Sequence, residues 1–156
     1  MVNVRTRLHG SNEGGNAMEP IQWSRWMSVG NDALDEDHRV LIAIVNKLYD
    51  DANRQDPALI EAILDELIAY TRHHFAEEEA QMEQLNYPTF AAHKALHDRL
   101  TQQVESYRDE FRAGGSRIGG EEVFLFCSDW LGKHILKEDT RFGEYAGTGA
   151  EMVAAG

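Results

Sequence analysis

The stretch His73–Met82, HHFAEEEAQM, sets two histidines beside three glutamates inside a segment of helical periodicity. His74 and Glu78 lie four residues apart and continue an apolar stripe of Ile60, Ile63, Leu67 and Tyr70 or Thr71, so both are expected to face a core. His73, Glu77 and Glu79 turn away from it by about 100° or more. An inward imidazole and an inward carboxylate are costly without partners. The rest of the chain has to supply them.

Working outward, the same pattern recurs on four helical segments, with almost no strand signal. The first runs from about Asp35 to Asn53, with His38, Leu41, Ile42, Val45 and Leu48 on one stripe. The second opens at Asp56-Pro57, an N-cap followed by proline at the first helical position, and continues to about Leu85. The third starts near Pro88 and carries Phe90, His93, His97, Leu100, Val104, Tyr107 and Phe111 on one side. GGSRIGG then interrupts the chain, and the fourth spans about Glu121 to Phe142 with Cys127, Trp130 or Leu131, and His134 facing in. Short connections imply antiparallel neighbours, so the expected fold is an all-α, antiparallel up-down-up-down four-helix bundle. The domain is expected over residues 21–145, between flexible tails at residues 1–20 and 146–156.

Composition narrows the function classes. A chain of 156 residues is long enough for one domain with a sizeable core. Its formal charge of -12 opposes binding to nucleic acid or to an anionic membrane surface. No apolar run approaches the roughly 18 residues of a membrane span, and MVNVRTRLHG lacks the apolar region of a secretory signal. The single cysteine, Cys127, cannot form an internal disulfide, and the expected location is the cytoplasm.

Five histidines on four converging stripes (His38, His74, His93, His97 and His134) are a different matter from one satisfied core histidine. Packing them around one axis is expensive unless something coordinates them, and metal binding is the direct compensation. His93 and His97 lie one helical turn apart and can hold the same ion, as can His74 and Glu78. Imidazole suits iron, copper, zinc and nickel, and carboxylates add oxygen ligands that can bridge two ions. Structural zinc, which takes about four ligands, would strand several of these residues. The Glu-x-x-His pairs of ferritin-like di-iron sites are absent from all four helices.

Taken in order, these pieces resemble the hemerythrin family, and more closely its bacterial members. The matching motifs are W-x(3)-G-x(4)-D-x-x-H at Trp26, Gly30, Asp35 and His38, H-F-x-x-E-E-x-x-M from His74 to Met82, H-x-x-x-H at His93 and His97, and W-L-x-x-H-I-x-x-x-D from Trp130 to Asp139. The likeness covers about residues 21–145. It implies two non-heme iron ions per chain, one held by His93, His97 and His134 and the other by His38 and His74. Glu78 and Asp139 would bridge them, with an oxo or hydroxo group as the third link. On that count the first ion has six ligands and the second five, leaving one open position for dioxygen on the His38/His74 ion. His134 and Asp139 stand five apart, which a regular α-helix splays by roughly 140°; either the helix loosens there or a local π-bulge brings them together.

The resemblance thus implies a non-enzymatic, reversible oxygen binder. The alternatives are an oxygen or redox sensor module and a di-iron enzyme acting on peroxide or nitric oxide. No dedicated general acid stands among the inward residues, which disfavours the enzyme. Phe75, Trp130 and Ile135 are expected to wall the oxygen pocket, with ordinary core packing as the competing explanation. His73 and His9 read as solvated surface residues, Glu77 and Glu79 as a charged outer face, Met82 as core filler, and Cys127 as buried and inert. Tyr87 is expected to anchor a loop. Asp35 is expected either to orient His38 or to cap its helix.

Overall fold

The protein is described by a computed structural model over residues 18–114 and 117–154. Every regular element among these residues is helical. Helix α1 is Asp32–Asn46, α2 is the short Asp51–Gln55, α3 is Pro57–Gln84, α4 is Phe90–Arg112 and α5 is Gly120–His134. A π-helical turn, Ile135–Asp139, joins α5 to α6, Thr140–Ala154. None of these helices is long and apolar enough to cross a membrane.

Local chemistry accounts for most boundaries. Asn31 opens α1 by accepting the backbone N–H groups of Ala33 and Leu34 at 3.1 and 3.2 Å. Asp56 caps α3 at the N–H of Ala58, with Pro57 at the first helical position as expected. The first expected helix is broken in two: α1 ends at Asn46, and a 3-10 turn, Lys47–Tyr49, leads into α2. The cause is polar competition for the backbone. Asn46 turns its amide to both backbone groups of Ile21, Asp50 caps α2, and Arg54 donates to the carbonyls of Leu48 and Tyr49.

At the other end, residues from Ala146 onward were expected to leave the fold as a tail, yet α6 continues to Ala154. Ala146 packs beside Phe142 and Tyr145 on the cluster formed by Val29, Leu34, Met82 and Tyr87. Met18 similarly packs on the main core, so the first tail as expected is too long; its residues 1–17 lie outside the described residues.

The apolar interior has two parts. The main cluster includes Leu41, Val45, Leu67, Phe75, Leu100, Phe124, Leu131 and Ile135. The smaller one is Val29, Leu34, Met82, Tyr87 and Phe142. Along the chain, His38 falls between Leu34 of the small cluster and Leu41 of the main one. Glu78 falls between Phe75 and Met82, His93 and His97 between Phe90 and Leu100, and Asp139 between Ile135 and Phe142. The inward polar residues of all four segments therefore form a belt between two apolar floors.

The small floor depends on a close crossing at Gly143. A Cβ there would lie 2.8 Å from Val29 Cα and closer still to its carbonyl oxygen, so backbone would have to move. Gly143→Ala is expected to cost about 1–3 kcal/mol through overpacking, read as a lower urea midpoint at unchanged slope. An unchanged midpoint would show that α6 yields freely at this crossing.

Candidate metal centre

The belt contains His38 from α1, His74 and Glu78 from α3, His93 and His97 from α4, His134 at the end of α5, and Asp139 at the end of the π turn. None of the seven is more than 5% exposed. The π turn explains how His134 and Asp139 share the site. The N–H of Thr140 donates to the carbonyl of Ile135, five residues back, and this wider turn carries Asp139 round until its Oδ1 lies 2.9 Å from His134 Nε2.

The ligand atoms form two groups that share both carboxylates. One group is Glu78, His93, His97, His134 and Asp139; the other is His38, His74, Glu78 and Asp139; within each, the atoms lie within 4.8 Å of one another. In the first group, His97 Nε2 and His134 Nε2 are 3.1 Å apart, and Asp139 Oδ1 is 3.1 Å from His93 Nε2. Glu78 Oε2 stands 3.4 Å from His93 Nε2 and 3.3 Å from His97 Nε2. Donor atoms about 2.1 Å from one ion on perpendicular axes are about 3.0 Å apart, so these spacings match the edges of a coordination polyhedron. Asp139 turns its other oxygen, Oδ2, to His38 Nε2 at 3.1 Å.

Hydrogen bonding does not explain this arrangement. His38 Nδ1 and Nε2, His74 Nε2, both Glu78 oxygens, His93 Nε2 and Asp139 Oδ1 are buried without a hydrogen-bond partner. Such orphans are rare and costly in a folded protein. Close approach without donor–acceptor alignment is what atoms aimed at a shared point produce. The nitrogen-rich, doubly carboxylated donor set suits a first-row transition metal such as iron.

Electrostatics within the belt agree with cation binding. Burial alone would raise Asp139, but His134, His38 and His93 hold its carboxyl well below the usual range. Burial and Asp139 both act to raise Glu78, yet His93, His97 and His74 bring it down. Both carboxylates are therefore charged. Burial and the neighbouring His38 lower His74. For His93, Asp139 and Glu78 outweigh burial and raise the imidazole to about 9.

Comparison with known proteins places the chain in a family. The family described as the hemerythrin HHE cation binding domain matches residues 29–146. The chain belongs to the hemerythrin family. A bacteriohemerythrin of Stenotrophomonas maltophilia is 33% identical over 127 residues, covering 81% of this chain and 82% of that protein. One of Methylococcus capsulatus is 38% identical over 109 residues, covering 70% and 82%. The crystal structure of a wild-type hemerythrin superposes with a TM-score of 0.72 at 34% identity, covering 80% of this chain and 95% of that one.

Around the hemerythrin belt, two carboxylates take roles the sequence reading missed. Glu79, expected on a charged outer face, instead accepts from His97 Nδ1 at 2.9 Å and pairs with Lys94 at 3.2 Å. Asp37 Oδ2 lies 3.2 Å from His74 Nδ1, and its Oδ1 accepts from the Tyr70 hydroxyl at 2.7 Å. A signal existed: a metal-bound histidine almost always donates its second ring nitrogen to an acceptor, frequently a carboxylate. Asp35 performs neither expected role. It accepts from the Ser28 hydroxyl at 2.6 Å and the Val29 N–H at 2.8 Å, tying the segment before α1 to the helix, while Asn31 does the capping.

The three expected pocket residues are distributed unevenly. Phe75 stacks on the His97 ring at 3.6 Å and Trp130 on the His134 ring at 4.7 Å, both in the three-histidine group. Phe75 also reaches His74, at 5.9 Å, and Ile135 is fully buried in the main cluster. Met82 is core and Cys127 is buried, its thiol pushed up to about 12 by burial. Tyr87 packs against Phe142 and Tyr145 and so anchors the loop before α4.

Two outcomes follow from this geometry. Glu79→Gln is expected to weaken metal retention by about 10–100-fold at unchanged helicity, measured by chelator competition; equal retention would remove Glu79 from the site. In metal-free protein, His93 is protonated below about 9 and must lose that proton to become a ligand. Ferrous uptake is therefore expected to release protons and to tighten as pH rises towards 9, whereas uptake independent of pH would exclude His93 from coordination. The sign reverses for metal-free stability, where the raised His93 contributes fully below its unfolded value near 6.5 and its contribution is lost through about 9.

Proposed function

We propose that this chain binds dioxygen reversibly at two non-heme iron ions, for storage, delivery or scavenging, with no dedicated catalytic step. The four long segments (α1, α3, α4 and the α5–α6 rod) are read as an up-down-up-down antiparallel bundle holding that centre. The observation carrying the functional reading is the asymmetry of the belt. Three histidines lie on one side of the shared carboxylates and two on the other.

His93, His97 and His134 would hold one ion and His38 and His74 the other. Asp139 offers Oδ1 to the first set and Oδ2 to His38, the disposition of a bridging carboxylate, and Glu78 belongs to both sets. With an oxo or hydroxo group as a further bridge, the His38/His74 side would have one ligand fewer. Iron held there would supply the reversible redox chemistry that dioxygen binding needs.

What the protein contributes is a fixed frame and a dry, proton-poor surround. Asp37 and Glu79 hold His74 and His97 in one tautomer and orientation. Phe75 and Trp130 lock the His97 and His134 rings by stacking. The same two side chains line an apolar cavity of about 10 Å³, together with Leu41, Leu67, Thr71 and Leu100. That volume is at the lower limit for a single water, and its walls give a water little to bond to. This supports the expected pocket at Phe75 and Trp130; Ile135 is read as core beneath it. The Cys127 thiol on the cavity wall, pushed up to about 12, is no proton donor at neutral pH. None of the seven belt residues lines this cavity; it adjoins the centre through Phe75 and Trp130 and brings no acid to it.

The test is iron content with the visible spectrum of the dithionite-reduced protein, before and after air. Two irons per chain and a charge-transfer band that appears in air and vanishes under argon are expected. Irreversible conversion to the oxidised spectrum would reject the carrier. Glu78→Ala should retain fewer than two irons, and full retention would overturn the bridge assignment.

A further inference from the structure

A second group of metal-ligating side chains lies outside the belt. Asp37 on α1 and His73 and Glu77 on α3 bring one ligand atom each within 4.8 Å of one another. His73 and Glu77 are exposed, 57% and 51%, with His73 Nε2 3.6 Å from Glu77 Oε1. Asp37 is only 13% exposed. It is the carboxylate already engaged by His74 and Tyr70.

We propose that Asp37, His73 and Glu77 form an outer, exchangeable site for a divalent first-row transition-metal ion such as Zn²⁺ or Fe²⁺. A helical i,i+4 pair of histidine and glutamate is common on a solvated face and alone signifies little. The third residue makes the difference, because it comes from another helix and is held in place from behind by two hydrogen bonds. One imidazole nitrogen and two carboxylate oxygens suit such an ion and match its charge.

The charge pattern around the group supports the same reading. Several carboxylates on the neighbouring helices are matched to basic side chains: Glu66 to Lys47, Glu105 to Arg72, and Glu61 and Asp65 to Arg112. Among the described residues, no lysine or arginine pairs with Asp37 or Glu77. The two carboxylates converge on the His73 imidazole, in a chain of formal charge -12 that concentrates cations at its surface. Ligand atoms about 2.1 Å from one ion stand about 3.0–3.5 Å apart; His73 and Glu77 are already at 3.6 Å, and both side chains are exposed.

The placement has a consequence for the inner centre. Each Asp37 oxygen accepts one hydrogen bond and keeps a further lone pair. An ion bound there would draw charge from the carboxylate that orients His74, so the outer ion and the His38/His74 group share one side chain. The outer site stands independently of whether the inner one carries dioxygen.

The test is a calorimetric Zn²⁺ titration of the full chain as purified, its inner metals in place, with metal analysis after dialysis. One Zn²⁺ per chain is expected without loss of inner metal. His73→Ala/Glu77→Ala should weaken that binding by about tenfold or more, as loss of even an outer metal partner does. Both substitutions fall on exposed side chains, so the core is left intact. Asp37→Asn should weaken it as well. Equal Zn²⁺ binding by wild type and the double variant, or uptake only as inner metal leaves, would overturn the site. Loss in the double variant with full binding in Asp37→Asn would overturn the three-residue assignment.

Discussion

Seven ionisable side chains buried at one level of a helical protein set the terms for everything else in this structure. Two carboxylates and five imidazoles, none more than 5% exposed, are tolerable together only if their charges and lone pairs are satisfied at once. Their mutual contacts do part of this, since the histidines keep Glu78 and Asp139 ionised against burial. They leave several donor and acceptor atoms unpaired. A cation at the convergence point satisfies those atoms and neutralises the carboxylates. A metal ion bound there would therefore contribute directly to the stability of the fold.

The two apolar floors are what make such a belt affordable. Each helical segment alternates a main-cluster residue, a ligand and a small-cluster residue, as in Leu41, His38 and Leu34 or Ile135, Asp139 and Phe142. The floors fix helix position and rotation without calling on the ligands, so the donor atoms can keep orientations that serve an ion rather than one another. The π turn is the one place where regular helix and ligand geometry conflict. There the backbone yields: the chain adopts an unfavourable turn between His134 and Asp139 and then resumes as α6. Phe142 and the Gly143 crossing lie within the next turn and seat the rod again on the small floor.

Much of this was legible in the residues. The helical class and six of the belt positions follow from spacing, because period and burial are encoded locally. The start of α3 was legible for the same reason, in Asp56 and Pro57. Asp139 follows only from the likeness to the family, and its distance from His134 along the chain then calls for an irregular turn or a loosened helix. What escaped depended on contacts between distant segments. The break of the first helix after Asn46 rests on Ile21 and Arg54, and the extension of α6 past Ala146 rests on Val29, Met82 and Tyr87. Periodicity along one segment carries no trace of either. Glu79 was misplaced because one helical step was judged sufficient to turn it to solvent, whereas His97 on the neighbouring helix reaches out to meet it.

Asp37 and Glu79 show how the environment of the belt differs between its two sides. The imidazole of His97 is tied to a carboxylate that also pairs with Lys94, so part of its negative charge is already spent on an ammonium group. The imidazole of His74 is tied to a carboxylate whose other oxygen meets only a tyrosine hydroxyl. Asp37 has no such ammonium partner, but its contact with His74, at 3.2 Å, is longer than the 2.9 Å between Glu79 and His97. Each carboxylate fixes the orientation of its imidazole, one on either side of the belt. The three-histidine side is instead held rigid by the Phe75 and Trp130 stacks. The two sides of the belt are thus held by different means, ring stacking and a charge-paired carboxylate on one and a carboxylate shared with a tyrosine hydroxyl on the other.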